Sequence, residues 1–240
     1  MTETAAEQPA EQPVDKTALR DAATVLVVRR DAPGGPAVLM GMRGAGAAFM
    51  PSKYVFPGGA LDRGDATIAL AAPLPEASAR RLTLNAPAGI GPALAVAAIR
   101  ELWEETGLVL GTPGRWSGDV PTDWQGFAET GHLPSAAALS FVFRAITPPG
   151  RPRRFDARFF LVDAAQIASD PDDFSRACDE LSHLHWVPMA EARQLNLPFI
   201  TEVVLAEVQA HLAETAGGRA PLAVPFFDNR GPRSVFARLD

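Results

Sequence analysis

Residues 92–107, PALAVAAIRELWEETG, constrain this chain more than any other stretch. Alanine, leucine and glutamate dominate it, all strong helix formers. Pro92 suits the first turn of a helix, with Gly91 tolerated before it. Gly107 sits where a left-handed C-terminal cap belongs. On a helical wheel Ala95, Ala98, Ile99, Leu102 and Thr106 fall on one stripe, while Glu101, Glu104 and Glu105 share another face about 100° wide. An amphipathic helix of this kind must lay its apolar stripe on a core. Its acidic face costs energy, since like charges at i,i+4 repel by a few tenths of a kcal/mol. Either that face is simply solvated, or something cationic sits on it.

The rest of the chain supplies the core. Residues 22–30 and 37–43 are short β-branched runs joined by the turn DAPGGP, which predicts a hairpin. KYVFPGG (53–59) reads as a short strand entering a glycine turn. PEASARRLTL is a further helical stretch, LVL (108–110) a strand, and a short helix falls near 124–130. ALSFVFRAI (138–146) and ARFFLVDA (157–164) read as strands, residues 183–195 as a strand leading into a helix start, and 198–214 as an amphipathic helix. Strands and helices do not alternate regularly, which argues against a doubly wound sheet and for a mixed α/β sheet packed between helices. The organisation expected is a polar, disordered N-terminal tail over 1–19, one domain over 20–215, and a C-terminal tail over 216–240.

Hydrophobic residues make up 47% of the 240, enough for a sizeable core. A net charge of −6 argues against a broad nucleic-acid-binding surface. Cys178 is the only cysteine, so no intrachain disulfide forms, which fits a reducing compartment. No signal pattern opens the chain, and no apolar run is long enough to cross a membrane. The expectation is a cytoplasmic protein with a small-molecule partner, no nucleic acid and no membrane.

Three carboxylates at i, i+3 and i+4 offer up to six oxygens to one point, which suits a hard divalent cation such as Mg²⁺ or Mn²⁺. Zinc is disfavoured, because no Cys/His cluster is present. A bare ExxEE is ordinarily a solvated face; its flanks change the weighing. The stretch runs Arg100-Glu101-Leu102-Trp103-Glu104-Glu105-Thr106-Gly107-Leu108, and upstream lies VFPGGALDRGD (55–65).

Here the sequence resembles the Nudix hydrolase family, whose signature is G-x5-E-x7-R-E-U-x-E-E-x-G-U, with U a bulky aliphatic. Arg100 to Leu108 match every fixed position of the second half. GGALDRGD matches the first half, with Gly59 as the glycine and Asp65 in place of the glutamate. Residues 66–99 number 34 where the signature has seven, an insertion of 27. An interrupted signature resembles the branch containing peroxisomal-type coenzyme A diphosphatases and their bacterial relatives. AATVLVV, VLMGMR, FMPSKYVFPGG and RRFDARFF are similar to that branch too.

The resemblance implies a Nudix-type α/β/α sandwich with a helical insertion (66–91) inside the signature box. It implies Mg²⁺-dependent (or Mn²⁺-dependent) hydrolysis of a diphosphate linkage, with coenzyme A or acyl-coenzyme A the leading substrate. Nucleotide sugars, dinucleotides, nucleoside triphosphates and a non-catalytic nucleotide-sensing module are the alternatives. It assigns metal binding to Gly59 (through its carbonyl), Glu101, Glu104 and Glu105, and catalysis to Glu101, Glu104 and Arg100. Arg100 is expected to brace Glu101 or Glu105. Arg43 and Arg158 are substrate-binding candidates, Arg158 at the pocket rim; a homodimer is also considered. His183 and His185 read as structural, Trp103 and Phe56 as core, and Cys178 as a buried or idle thiol.

Overall fold

The computed structural model describes residues 18–47, 50–214, 221 and 223–240. Apart from its last two residues, the expected N-terminal tail lies outside the described residues. In chain order the elements are β1 (Leu19–Arg29), β2 (Ala37–Arg43), β3 (Tyr54–Val55), β4 (Gly58–Ala60), a 3-10 turn (Arg63–Thr67), α1 (Glu76–Leu82), α2 (Ile90–Thr106), β5 (Gly111–Pro113), α3 (Gln125–Glu129), β6 (His132–Pro134), β7 (Ser140–Ile146), β8 (Arg154–Asp163), β9 (Leu181–Pro188), α4 (Phe199–Glu214), β10 (Val224–Asp228) and β11 (Val235–Leu239).

One mixed sheet organises them, in the order β11-β10-β7-β8-β1-β2-β3, with β4 added on β1 and β9 on β2. β1 runs parallel to β8 over its whole length, from Leu19↔Arg154 to Val28↔Asp163. Its other edge is shared: β2 pairs antiparallel with the end of β1, at Val28↔Val38, and β4 with its start, at Ala23↔Gly59. That sharing seats the glycine pair against β1, inside the sheet.

Alternation along the strands sends side chains to two cores. Ala23, Val25, Val27, Phe160 and Val162 meet Leu94, Ile99 and Leu102 of α2 on one face. Leu26, Val28, Phe159 and Leu161 meet Val204, Leu205 and Val208 of α4 on the other. The result is helix–sheet–helix. Each fully buried Leu, Ile or Phe in these layers contributes about 1.5–3 kcal/mol of transfer free energy.

Four expectations need correction. Helix α2 starts at Ile90, two residues before Pro92, because Gly89 takes the left-handed conformation that turns the chain into it. Gly107, with φ of 73°, caps the other end and donates its N–H to the Trp103 carbonyl. The helix is also buried nearly all round rather than along one stripe, since α1 and the Trp124–Phe127 segment cover its outer side. Leu108–Leu110 are buried but not a strand: the Val109 N–H donates to Ser169 Oγ and the Leu110 carbonyl accepts from Ser135 N–H, so their bonds go to loops. Finally, residues 216–240 hold more than a tail. β10 joins the sheet parallel to β7 and β11 folds back on β10. Gly231 and Pro232 fall in the turn between these two strands.

The insertion inside the signature is part of the domain wall. The Ala71 N–H donates to the Pro134 carbonyl (2.8 Å) and the Ala136 N–H to the Ala72 carbonyl (3.0 Å). The Phe141 N–H of β7 donates to Ser78 Oγ of α1, and Leu74 and Leu82 are buried. Arg144 of β7 makes a two-pronged pair with Asp156 of β8, at 2.8 and 2.7 Å, and donates to the carbonyls of Leu84 (3.0 Å) and Asn85 (3.1 Å). One buried guanidinium therefore pins the end of the insertion to the sheet. Replacing it (Arg144→Met) should lower the unfolding free energy in urea by about 3 kcal/mol, the low end for breaking a buried pair because Arg158 still faces Asp156. A loss below about 1 kcal/mol would mean that apolar packing alone holds the insertion.

Candidate metal centre

The glycine bend and the acidic turn meet, although 41 residues separate Gly59 from Arg100 in sequence. Gly58 has φ of +156°, and a side chain there would strike the Ala23 carbonyl and Thr24. Only glycine lets the chain cross β1 that closely. At Gly59 a Cβ would fall inside the van der Waals shell of the Glu101 carboxylate. The Gly58 N–H donates to Glu105 Oε2 at 2.7 Å, fastening bend to helix.

Arg100 organises the rest. Its Nε and Nη2 grip the two oxygens of Asp65 at 2.9 and 3.1 Å. Nη1 donates to Glu101 Oε1 (2.8 Å) and Glu104 Oε2 (3.0 Å), and Nη2 also to the Ala60 carbonyl (3.1 Å). All five N–H donors of the guanidinium are thereby used. Arg100 braces Glu101, as one of the two expected arrangements has it, and Glu104 rather than Glu105. Asp65, 2% exposed, also accepts from the Asp62 N–H at 2.8 Å. The 3-10 turn carries the shorter aspartate in far enough to reach the guanidinium.

The electrostatics favour a bound cation. Burial pushes the Glu101 carboxyl up to about 7, against Arg100, which pulls it down, while Glu104 and Glu180 push it further up. Burial also raises Glu104, again opposed by Arg100. Glu105 is raised well above the ordinary range, by burial and then by the charge of Glu101, with the Gly58 N–H working the other way. Its Oε1 is buried and has no hydrogen-bond partner among the described residues. A buried acceptor left unmade costs about 1–3 kcal/mol, more when charged, so such an atom calls for a ligand. Three carboxylates and a nearby glycine backbone are oxygen donors that fit a hard divalent cation. Among the described residues no three such groups already converge on one point. Arg100 holds Glu101 and Glu104, so loading the site means moving those side chains.

The remaining candidates separate clearly. Arg43, at the end of β2, donates from Nη2 to Glu180 Oε1 at 2.5 Å and lies close enough to Glu105 to draw its carboxyl down. Arg158 is not at a rim: it is 1% exposed, paired with Asp21 and Asp156. Along β8 it alternates onto the same sheet face as Phe160. Trp103 and Phe56 are core. His183 and His185 lie on β9, with His185 packed edge-on to Tyr54 at 5.7 Å. Cys178 is exposed rather than buried, and its backbone N–H donates to the Glu104 carbonyl. Glu180 is the site residue that sequence reasoning missed. Nothing in CDELSHLHW singles it out, because only the pairing of β2 with β9 brings it beside Arg43.

No family model matches the chain. "Putative nudix hydrolase 7" of Caenorhabditis elegans is 30% identical over 166 residues, which cover 64% of this chain and 47% of that protein. The chain thus spans about half the length of that relative. The crystal structure of a NUDIX hydrolase from Alicyclobacillus acidocaldarius is 29% identical, covers 86% of this chain and 98% of its own, and superposes with a TM-score of 0.62. Among the described residues no helix is long and apolar enough to cross a membrane. The chain is thus similar to Nudix hydrolases in both sequence and fold.

Proposed function

We propose that the protein hydrolyses a diphosphate linkage in a nucleoside-diphosphate-containing metabolite, with Mg²⁺ or Mn²⁺ held by Glu101, Glu104, Glu105 and the Gly59 carbonyl. The observation that carries this reading is the closure of the glycine bend on the acidic turn, with a buried, unpartnered carboxylate oxygen of Glu105 between them. The likeness to Nudix hydrolases supports it.

The chemical obstacle is repulsion, because water must attack a phosphorus ringed by negative oxygens. A divalent cation bound there supplies Lewis acidity toward those oxygens and toward water. The chain does the rest. The Arg100 fork holds Glu101 and Glu104 beside the glycine bend, within a short side-chain movement of a cation there. A carboxylate of the cluster accepts the proton of the attacking water, and a positioned base of this kind contributes about 10²–10⁴-fold. The guanidinium of Arg43, beside the cluster, pairs with a phosphate of the substrate. The buried Arg158 is left to the fold.

Coenzyme A or an acyl derivative is the substrate to test first, on the resemblance of the interrupted signature. The insertion, fastened to β7, acts as a fixed wall of the substrate site rather than a swinging lid. The test is a panel assay with Mg²⁺ across coenzyme A, dinucleotides, nucleotide sugars and nucleoside triphosphates, reading the phosphate products released. Cleavage of none of them, with a nucleotide bound intact, would make the protein a sensing module instead.

Glu104→Gln should reduce turnover of the best substrate by about 10²–10⁴-fold without lowering the melting temperature. Full turnover by that variant would discard the site. Stability should also depend on pH through Glu101. Its carboxyl titrates at about 7 folded against 4.5 in the ordinary state, so the folded protein favours the neutral form. That stabilisation is complete below the ordinary value and is lost as pH rises through about 7. Protein stripped with a chelator should therefore melt lower at about pH 8 than at about pH 6, and added Mg²⁺ or Mn²⁺ should raise the melting temperature more at the higher pH. Melting indifferent to either cation at both pH values would exclude the metal centre.

A further inference from the structure

The Arg43–Glu180 pair differs from the contacts of Arg100 and Arg144. Arg100 spends all five donors, and Arg144 is gripped by both oxygens of Asp156 with two carbonyls besides. Arg43 is mostly buried, its side chain 19% exposed, yet it meets Glu180 through one nitrogen. Its Nε is buried and has no acceptor among the described residues. Glu180, 53% exposed, stands half in solvent. A single-contact pair with one solvated partner is worth little, about 0.2–1 kcal/mol. The backbone that carries the guanidinium is, by contrast, firmly held. Arg43 exchanges hydrogen bonds with the neighbouring loop, N–H to the Lys53 carbonyl (3.0 Å) and carbonyl from the Ser52 N–H (3.1 Å), and Leu181 is its cross-strand partner. The same loop runs through Tyr54, paired with Met42, into the glycine bend. So a rigidly mounted arginine with an open donor stands beside the acidic turn, covered by a carboxylate that can swing away.

We propose that Glu180 is a displaceable stand-in for substrate phosphate on Arg43, a positioning residue that sets how much negative charge a ligand must carry to bind. This rests on the proposed diphosphate hydrolysis. In the free protein the carboxylate keeps the guanidinium aimed and partly neutralised. A diphosphate, with several anionic oxygens, takes Nη2 and the unsatisfied Nε together, and the Glu180 side chain moves out to water. Phosphate held bidentately by arginine outcompetes one carboxylate contact. A ligand with a single negative charge gains too little to displace it. Part of the binding energy of every substrate is spent on that exchange, which weakens its apparent affinity.

The experiment measures binding of imidodiphosphate, a non-hydrolysable diphosphate, with Mg²⁺ by calorimetry. Glu180→Gln should tighten binding by about two- to fivefold, the size of the contact released. It should lower KM on the best substrate similarly, leave kcat unchanged, and leave Mn²⁺ affinity unchanged. In an Arg43→Lys background, where no fork remains to be uncovered, the same substitution should have no such effect. Unchanged binding by Glu180→Gln, or equal tightening in both backgrounds, overturns the stand-in role and leaves the proposed function standing. Loss of Mn²⁺ affinity also overturns it, since Glu180 would then be holding the cation. Failure of the unsubstituted protein to bind imidodiphosphate with Mg²⁺ overturns both readings.

Discussion

The fork of Arg100 is the interaction on which the site depends. A guanidinium offers five donors in a fixed plane, and here they tie together the 3-10 turn (through Asp65), the strand leaving the glycine bend (through the Ala60 carbonyl) and two of the three glutamates. Burying a charge this deeply is costly unless it is fully paired. Burial works against the charged form, yet its hydrogen bonds with Asp65 and the surrounding carboxylates hold its pKa above the ordinary range. Lysine, with one point charge and no fork, could not replace it.

The sheet supplies the other half. β1 gives one edge to two strands in turn, β2 at its end and β4 at its start. The bend between β3 and β4 therefore falls against the last turns of α2, where Glu101 and Glu105 project. Strand pairing sets this position, so 27 extra residues can leave the bend and return to the helix without disturbing it. Closing a longer loop costs only about 0.6 kcal/mol per doubling. Here the added segment also buries Leu74 and Leu82 and bonds to β7, which offsets that cost.

Stability and chemistry pull against each other at the acidic turn. Three carboxylates desolvated together, with one buried oxygen unpartnered, weaken the fold at neutral pH. The strain is tolerated because nearly every other face of α2 is packed. Cores on both sides of the sheet can carry a locally unfavourable cluster of this size.

The sequence by itself determined the helix, its glycine cap, the acid spacing on it and most strands, because periodicity, propensity and turn chemistry are local properties of neighbouring residues. It also made Gly59 and Glu101 candidates for one site through resemblance. Only the tertiary structure decided that Arg100 reaches Asp65 and Glu104, that Arg158 is buried, that the last residues complete the sheet, and that Glu180 stands on Arg43. Most of these depend on which distant segments the fold brings together: Asp65 lies 35 residues from Arg100, and Glu180 lies 137 from Arg43. Hydrogen bonds between distant segments leave no period in the sequence; the fold must bring the partners together before their chemistry can be read.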